Sequence, residues 1–212
     1  MHEREFLTMD IVIVAQYLRN IEDFSGNNSR FVYLAKELAK EDQNYLEIVT
    51  SDFSHGKKQH FKSVGNLSNI KITTCHEPGY SKNVCLKRFA SHKKLAKNVE
   101  IYLNKRKAPD LIYVAVPSLD VAEVCAAYCE RNNVKFVVDI QDLWPEAFRL
   151  VFNIPVVSSM IFEPMRRQAD RIYKTADRIV AVSQTYADRG KRVNAKCPHP
   201  EVVFLGTNLD TF

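Results

Sequence analysis

The sequence predicts an α/β fold: a doubly wound, mainly parallel sheet of about seven strands with helices on both faces. Three observations point there. Short runs rich in Ile and Val alternate with amphipathic stretches along the 212 residues. The apolar runs are mostly continuous rather than alternating, as strands buried on both faces should be. Several of them lie further apart than the dozen or so residues that a parallel crossover needs. Strand then helix, repeated, is the pattern of a parallel sheet wound by helices.

The first strand, over 10–15, is the run Asp10-Ile11-Val12-Ile13-Val14-Ala15. A polar turn follows, and Gly26-Asn27-Asn28-Ser29 reads as a turn and cap before a helix over 29–40. A strand over 45–50 comes next. The stretch 51–69 is polar and reads as a long loop leading to a strand over 70–74. A helix over 82–107 carries Leu86, Phe89, Ala96, Val99 and Leu103 as an apolar stripe at helical spacing. A strand over 111–116, a helix over 118–132 and a strand over 134–140 make the next unit. A helix over 158–175 leads to a strand over 178–182, and a helix over 184–193 leads to a last strand over 202–205. No internal repeat and no low-complexity linker breaks this order.

Composition bounds the function. The chain is 46% hydrophobic and 26% charged, which suits one large domain or two small ones with a real core. No apolar run approaches the roughly 18 residues of a membrane span. The amino terminus, Met1-His2-Glu3-Arg4-Glu5, is polar and carries no apolar signal segment. Five cysteines form an odd set without metal-like spacing, and Cys125 and Cys129 stand one helical turn apart as two small buried residues. A reducing cytoplasm is the expected compartment.

Three places can carry chemistry. The turn after the first strand ends in Gly26, Asn27 and Arg30 at a helix start, where free N–H groups and a cation favour an anion such as a diphosphate. A capped turn is the competing reading. The chain has no G-x-G-x-x-G and only six glycines, which argues against a dinucleotide-binding dehydrogenase. The second place is the basic stretch containing Lys82, Lys87, Arg88, Lys93 and Lys94. It carries nine cations against the single acid Glu100, so the net charge of +5 is local to it. A basic amphipathic helix can lie on an anionic membrane or gather acceptor phosphates, and it can also be a solvated helix. Nucleic acid is not expected, because no aromatic stacking platform interleaves with the charges.

The third place is Asp139-Ile140-Gln141-Asp142-Leu143-Trp144-Pro145-Glu146. A buried strand runs directly into carboxylates, an amide, the only tryptophan and a proline that cannot continue the strand. Loops at the carboxyl ends of strands are where open α/β sheets bind ligands. Asp139 and Asp142 can hydrogen-bond sugar hydroxyls or act as a base, and Trp144 can stack on a sugar or fill the core. No D-x-D occurs, so no metal ligand set for a nucleotide diphosphate is evident, and no G-x-S-x-G elbow marks a serine hydrolase.

These residues carry a resemblance. Ser25-Gly26-Asn27-Asn28-Ser29-Arg30 with Tyr33-Leu34-Ala35-Lys36-Glu37-Leu38, and Val49-Thr50-Ser51-Asp52-Phe53-Ser54-His55, resemble the first loop, first helix and second strand exit of GT-B glycosyltransferases of the retaining family 4 type. Such enzymes serve bacterial capsule and O-antigen synthesis. The Asp142-Leu143-Trp144-Pro145 segment resembles that family's D-L-W-P signature, and Ala176-Asp177-Arg178-Ile179-Val180-Ala181-Val182-Ser183 its A-D-x-I strand. Val202 to Phe212 resembles the family's hinge. The first loop has one glycine where many members have two, and Gln141 stands where many have histidine.

The resemblance implies a Rossmann-like acceptor-binding domain over 1–206 and the start of a hinge over 207–212, with a donor-binding domain missing after Phe212. The complete enzyme would move a sugar from a nucleotide-diphosphate sugar to a lipid-linked or saccharide acceptor of the cell envelope, and this chain alone would be inactive. Asp142 and Asp139 would face acceptor hydroxyls. Gly26, Asn27 and Arg30 would approach the donor phosphates. Ser118, Gln141, Trp144 and Ser183 would line the site. The domain itself would hold no cofactor or metal. It would be cytoplasmic, or peripheral on the inner face of the plasma membrane. A natural subunit of a split enzyme and a non-catalytic binding or membrane-docking module are the alternatives.

Overall fold

The computed structural model describes residues 8–25, 29–40, 44–83, 85–151 and 155–206. The expected hinge over 207–212 lies outside them. In chain order the elements are β1 (Asp10–Val14), α1 (Arg30–Leu38), β2 (Tyr45–Ser51), β3 (Phe53–Ser54), β4 (Gln59–His60), β5 (Ile70–Cys75), α2 (Leu86–Lys105), β6 (Leu111–Val116), α3 (Leu119–Asn132), β7 (Lys135–Ile140), α4 (Glu146–Val151), α5 (Pro155–Thr175), β8 (Arg178–Ala181), α6 (Gln184–Lys191) and β9 (Glu201–Val202).

Seven strands form one sheet in the order β5-β2-β1-β6-β7-β8-β9, and every pairing is parallel. The order runs outward from β1 to β5, then reverses and runs from β6 to β9. α1 packs on one face of the sheet, and α2, α3, α5 and α6 pack on the other.

Each strand feeds both faces, which is why its sequence is apolar without a break. In β1, Ile11 and Ile13 join Phe31, Val32 and Ala35 of α1, with Leu18, Ile21 and Phe24 of the loop between them. Val12 and Val14 join the larger core on the other face, with Leu95, Val99 and Leu103 of α2, Cys125 and Cys129 of α3, Tyr173 of α5 and Ala187 of α6. Each such aliphatic side chain, fully buried, stabilises the fold by about 2 kcal/mol.

The structure differs from the sequence expectation in several places, among them the short helix α4, which the sequence does not announce. The stretch expected as a loop over 51–69 contains the antiparallel hairpin β3–β4, with Phe53 opposite His60. Its strands are two residues each, too short for an apolar alternation to show. Gly79 closes the next turn at φ +83°, and a Cβ there would stand 2.5 Å from the Phe53 ring, so only glycine fits. Leu86, expected in the α2 stripe, is 87% exposed because it opens the helix, while Leu95, Ala96, Val99 and Leu103 are the residues that pack. The last strand ends at Val202. Beyond it Phe204 is 74% exposed, since β9 is the sheet edge and pairs with β8 alone. Among the described residues no helix is long and apolar enough to cross a membrane.

Candidate functional site

The reversal of strand order between β1 and β6 leaves a crevice above the carboxyl ends of the strands, the usual ligand position in such sheets. Polar side chains collect there. Gln16 stands two residues past β1, Ser51 ends β2, Glu77 stands two past β5, Ser118 two past β6, and Gln141 follows β7 directly.

Glu77 is the centre of the buried part. It is 1% exposed, and its carboxylate is held by neutral donors. Gln16 Nε2 donates to both oxygens at 3.1 and 3.0 Å, Ser51 Oγ donates at 2.6 Å, and Ser91 Oγ of α2 donates at 3.0 Å. Ser51 in turn accepts the Phe53 N–H, and Ser91 accepts the Gly79 N–H. Hydrogen bonds to the ionised form let a carboxylate stay buried without a cation.

An aromatic and cationic wall adjoins it. Arg88 of α2 donates to Tyr17 at 3.1 Å and to the Asn83 carbonyl at 2.8 Å, and its guanidinium lies 4.7 Å over the Trp144 ring. Arg88 has no acceptor, so the Tyr17 oxygen accepts from it, and the Tyr17 proton is available to the Nε2 of His92 at 3.2 Å. His92 stacks on Trp144 at 6.1 Å. Burial pushes the His92 imidazole down, and Arg88 and His55 add to this, so its pKa falls to about 3. The neutral ring is no ion-pair partner for Glu77, 4.0 Å away. Burial, then Lys58 and Arg88, lower His55 to about 4.

The segment from Asp139 to Glu146 is fastened at three points. Asp139, with no exposed surface, accepts from Arg30 Nε at 2.7 Å and from the Tyr113 hydroxyl at 2.9 Å. Burial opposes the Arg30 charge, but the hydrogen bond and charge of Asp139 outweigh it and raise the Arg30 pKa. Glu146 accepts from Arg189 of α6 at 2.6 Å. Between them Asp142 accepts from the Leu143 N–H at 2.9 Å and from Trp144 Nε1 at 3.2 Å. It remains partly exposed.

Arg88 Nε in the wall, and three atoms at the strand ends, Gln16 Oε1, Ser118 Oγ and Gln141 Nε2, are buried without a partner. Val14 pairs with Val114, and Val116 pairs with Ile140, so the three residues stand within one residue of the same level. They follow the adjacent strands β1, β6 and β7, whose spacing is about 5 Å. An acceptor, a hydroxyl and an amide donor left unpaired at neighbouring strand ends suit a ligand rich in hydroxyl groups.

Comparison with solved structures finds the same architecture. Sucrose-phosphate synthase from Thermosynechococcus elongatus matches with a TM-score of 0.64 at 13% identity, over 96% of this chain and 50% of that one. A UGT transferase from Siraitia grosvenorii, solved in complex with UDP, matches with a TM-score of 0.51 at 11% identity, over 93% of this chain and 50% of that one. Anabaena HepE, solved with UDP and glucose, matches with a TM-score of 0.51 at 13% identity, over 95% of this chain and 46% of that one. The fold is that of a Rossmann-like GT-B domain. The chain spans about half the length of these structures. No family model and no curated protein matches the sequence.

In this GT-B domain the expected site residues divide. Ser118 follows β6, Gln141 and Asp142 follow β7, and Ser183 caps α6, its Oγ accepting from Tyr186 N–H at 3.4 Å. Gly26 and Asn27 lie outside the described residues. Arg30 is engaged within the domain. It is spent on Asp139 and on the Val203 carbonyl at 3.0 Å. Asp139, expected to face an acceptor, is sealed in the sheet by Arg30 and Tyr113. Trp144 is 6% exposed and is taken up by Arg88, His92 and Phe148, so it packs the crevice floor instead of stacking on a sugar. Arg88 likewise leaves the basic patch: it is buried, whereas Lys82, Lys87, Lys93 and Lys94 are exposed.

Sequence reading missed Gln16, Tyr17, Glu77, Ser91 and His92. One signal was present. Arg88, Ser91 and His92 fall at i, i+3 and i+4 on the apolar side of α2, polar groups where a core helix needs none. Two cavities lie elsewhere. One of about 520 Å³ beside the first loop is lined by Glu22, Asp23 and Lys36 among others, a net negative wall unsuited to phosphate. One of about 150 Å³ sits at the amino ends of β7 and β8, away from the crevice.

Two measurements test this arrangement. Arg30→Ala leaves the Asp139 carboxylate buried and uncompensated, so urea unfolding should show a loss of about 3 kcal/mol at pH 7. His92 has a folded pKa below its unfolded value of about 6.5, so the unfolded chain takes up the proton first as pH falls. Its contribution is therefore complete at neutral pH and is lost between about pH 6.5 and 3. From pH 6.5 to 5 the parent chain should lose about 1–2 kcal/mol more than His92→Gln, measured by urea unfolding at both pH values.

Proposed function

We propose that this chain is the acceptor-binding half of a GT-B glycosyltransferase, and that a donor-binding domain completes it to transfer a sugar from a nucleotide-diphosphate sugar. The unpartnered polar atoms on Gln16, Ser118 and Gln141, at the ends of three adjacent strands, carry the reading. They offer hydrogen bonds to saccharide hydroxyls. The span of about half of each matched glycosyltransferase supports the same division of labour. The Asp142-Leu143-Trp144-Pro145 segment supports a family 4 type enzyme of envelope polysaccharide synthesis.

In this reading Asp142 meets an acceptor hydroxyl. Its loop N–H donors leave further lone pairs on both oxygens, which can accept the hydroxyl proton's hydrogen bond. Asp139 is a positioning residue that places the loop. No protein nucleophile is assigned. Stabilisation of the departing diphosphate belongs to the second domain.

Trp144 is the only tryptophan, so its fluorescence reports on the crevice. Glucose and sucrose titrated into the 212-residue chain should change its emission, with Kd near the millimolar range expected of small neutral sugars. Ser118→Ala and Gln141→Leu should weaken this about tenfold, the worth of one hydrogen bond to a buried polar group. UDP-glucose should show no calorimetric binding near the micromolar level. Tight UDP-glucose binding, or sugar binding indifferent to both substitutions, would overturn the assignment.

A second reading concerns the approach to a lipid-linked acceptor. The solvent face of α2 carries Lys87, Lys93 and Lys94, with Lys82 ahead of it, and Leu86 at its start is 87% exposed. An apolar side chain among lysines fits an anionic membrane surface, at about 1 kcal/mol for each lysine brought near it. Sedimentation with vesicles containing anionic phospholipid should exceed that with neutral vesicles, and changing Lys87, Lys93 and Lys94 to Glu should abolish the difference. Equal sedimentation before and after the change would exclude docking through α2.

A further inference from the structure

Outside the crevice, backbone register gathers three metal-ligating side chains that are distant in sequence. Ser51 pairs with Cys75, so the next residues, Asp52 and His76, leave β2 and β5 side by side. Phe53 pairs with His60, and the Phe61 N–H donates to the Asp52 carbonyl at 2.9 Å, which folds β4 over the same spot. Asp52 Oδ2 lies 2.8 Å from His76 Nδ1, and Asp52 Oδ1 lies 3.8 Å from His60 Nε2. One ligand atom from each of the three lies within 4.8 Å of the others. The imidazole rings stack with centroids 5.4 Å apart at 15°. Two contacts preset the group: the Glu77 N–H holds Asp52 Oδ1 at 2.8 Å, and the Phe53 ring meets the His60 ring at 5.5 Å.

We propose that Asp52, His60 and His76 bind a zinc ion with one coordination position left for water. Two imidazole nitrogens and one carboxylate oxygen suit Zn²⁺, whereas Mg²⁺ and Ca²⁺ require oxygen ligands in greater number. Zinc bonds of about 2.0–2.2 Å set the ligand atoms of a tetrahedron roughly 3.4 Å apart. The 2.8 Å from Asp52 Oδ2 to His76 Nδ1 is shorter than that value, and one ligand atom from each of the three residues lies within 4.8 Å of the others. Side chains that are 29%, 44% and 59% exposed for Asp52, His60 and His76 have room to make up the difference.

On binding, the lone pairs of His76 Nδ1 and His60 Nε2 go to the ion, and the proton of each neutral ring sits on its other nitrogen. His60 gives up its 2.8 Å contact with the Glu77 carbonyl, which then accepts from the zinc-bound water. The ion ties β2, the hairpin and the β5 exit together directly beside Glu77. The proposal is independent of the glycosyltransferase reading, because that reading rests on Gln16, Ser118 and Gln141 and on none of these three residues.

Calorimetric titration of Zn²⁺ alone into the metal-free 212-residue chain tests it. One ion per chain should bind with micromolar or tighter Kd. His60→Gln and His76→Gln should each weaken binding at least about tenfold. Both replace partly exposed side chains, and circular dichroism checks that the fold is kept. His199→Gln and His2→Gln should leave binding unchanged. No binding, full binding after either of the first two substitutions, or loss on His2→Gln or His199→Gln would overturn the site.

Discussion

The buried pair between Arg30 and Asp139 is the contact on which the arrangement of this domain turns. Asp139 lies on β7 with no exposed surface, and Arg30 opens α1 more than a hundred residues earlier in the chain. Such a carboxylate is stable in the sheet only with a charged and a neutral donor on it, and Arg30 and Tyr113 supply them. The same guanidinium accepts a second duty at the Val203 carbonyl, just past β9. One side chain thus aligns the first helix, the middle of the sheet and its last strand. Because Arg30 must point at Asp139, the β1–α1 loop has a defined exit, and the crevice beside β1 has a defined wall.

The crevice depends on that alignment and on a second, different solution to burying charge. Glu77 is kept by Gln16, Ser51 and Ser91, all neutral, while the neighbouring cation Arg88 is occupied by Tyr17, Asn83 and the Trp144 face. The acid and the base are held apart by the neutral imidazole of His92. The result is a set of hydrogen-bonded charged groups beside the unpartnered atoms of Gln16, Ser118 and Gln141. Unpaired neutral atoms select for hydrogen-bonding geometry more than for ligand charge.

Much of this was legible in the linear chain. The Ile and Val runs of β1, β6 and β7 announced parallel strands because each must be apolar on both faces. The segment from Asp139 to Glu146 announced a strand exit because Pro145, with Asp142 and Glu146 on either side of it, cannot extend a buried strand. The roles inside the segment were not legible. Asp139 and Asp142 are three residues apart and chemically identical, yet one is sealed between Arg30 and Tyr113 and the other is partly exposed. Periodicity places residues along an element; it does not say which neighbour from a remote element will take up a charge. Arg88 illustrates the same point. In sequence it is one of nine cations of a basic stretch, and only the packing of α2 against Trp144 removes it from the surface.

By itself, the sequence determined the class of fold, the order along the chain of the seven strands of the main sheet and of the five helices other than α4, and the loop where polar chemistry would gather. These follow from local pattern, since burial on two faces and the conformational limits of proline act within a few residues. Only the tertiary structure decided the strand order with its reversal between β1 and β6, the burial of Glu77, and the meeting of Asp52, His60 and His76. Those depend on register between strands that are tens of residues apart. A one-residue shift in a pairing would displace the segments that leave the strand ends without altering a single local preference.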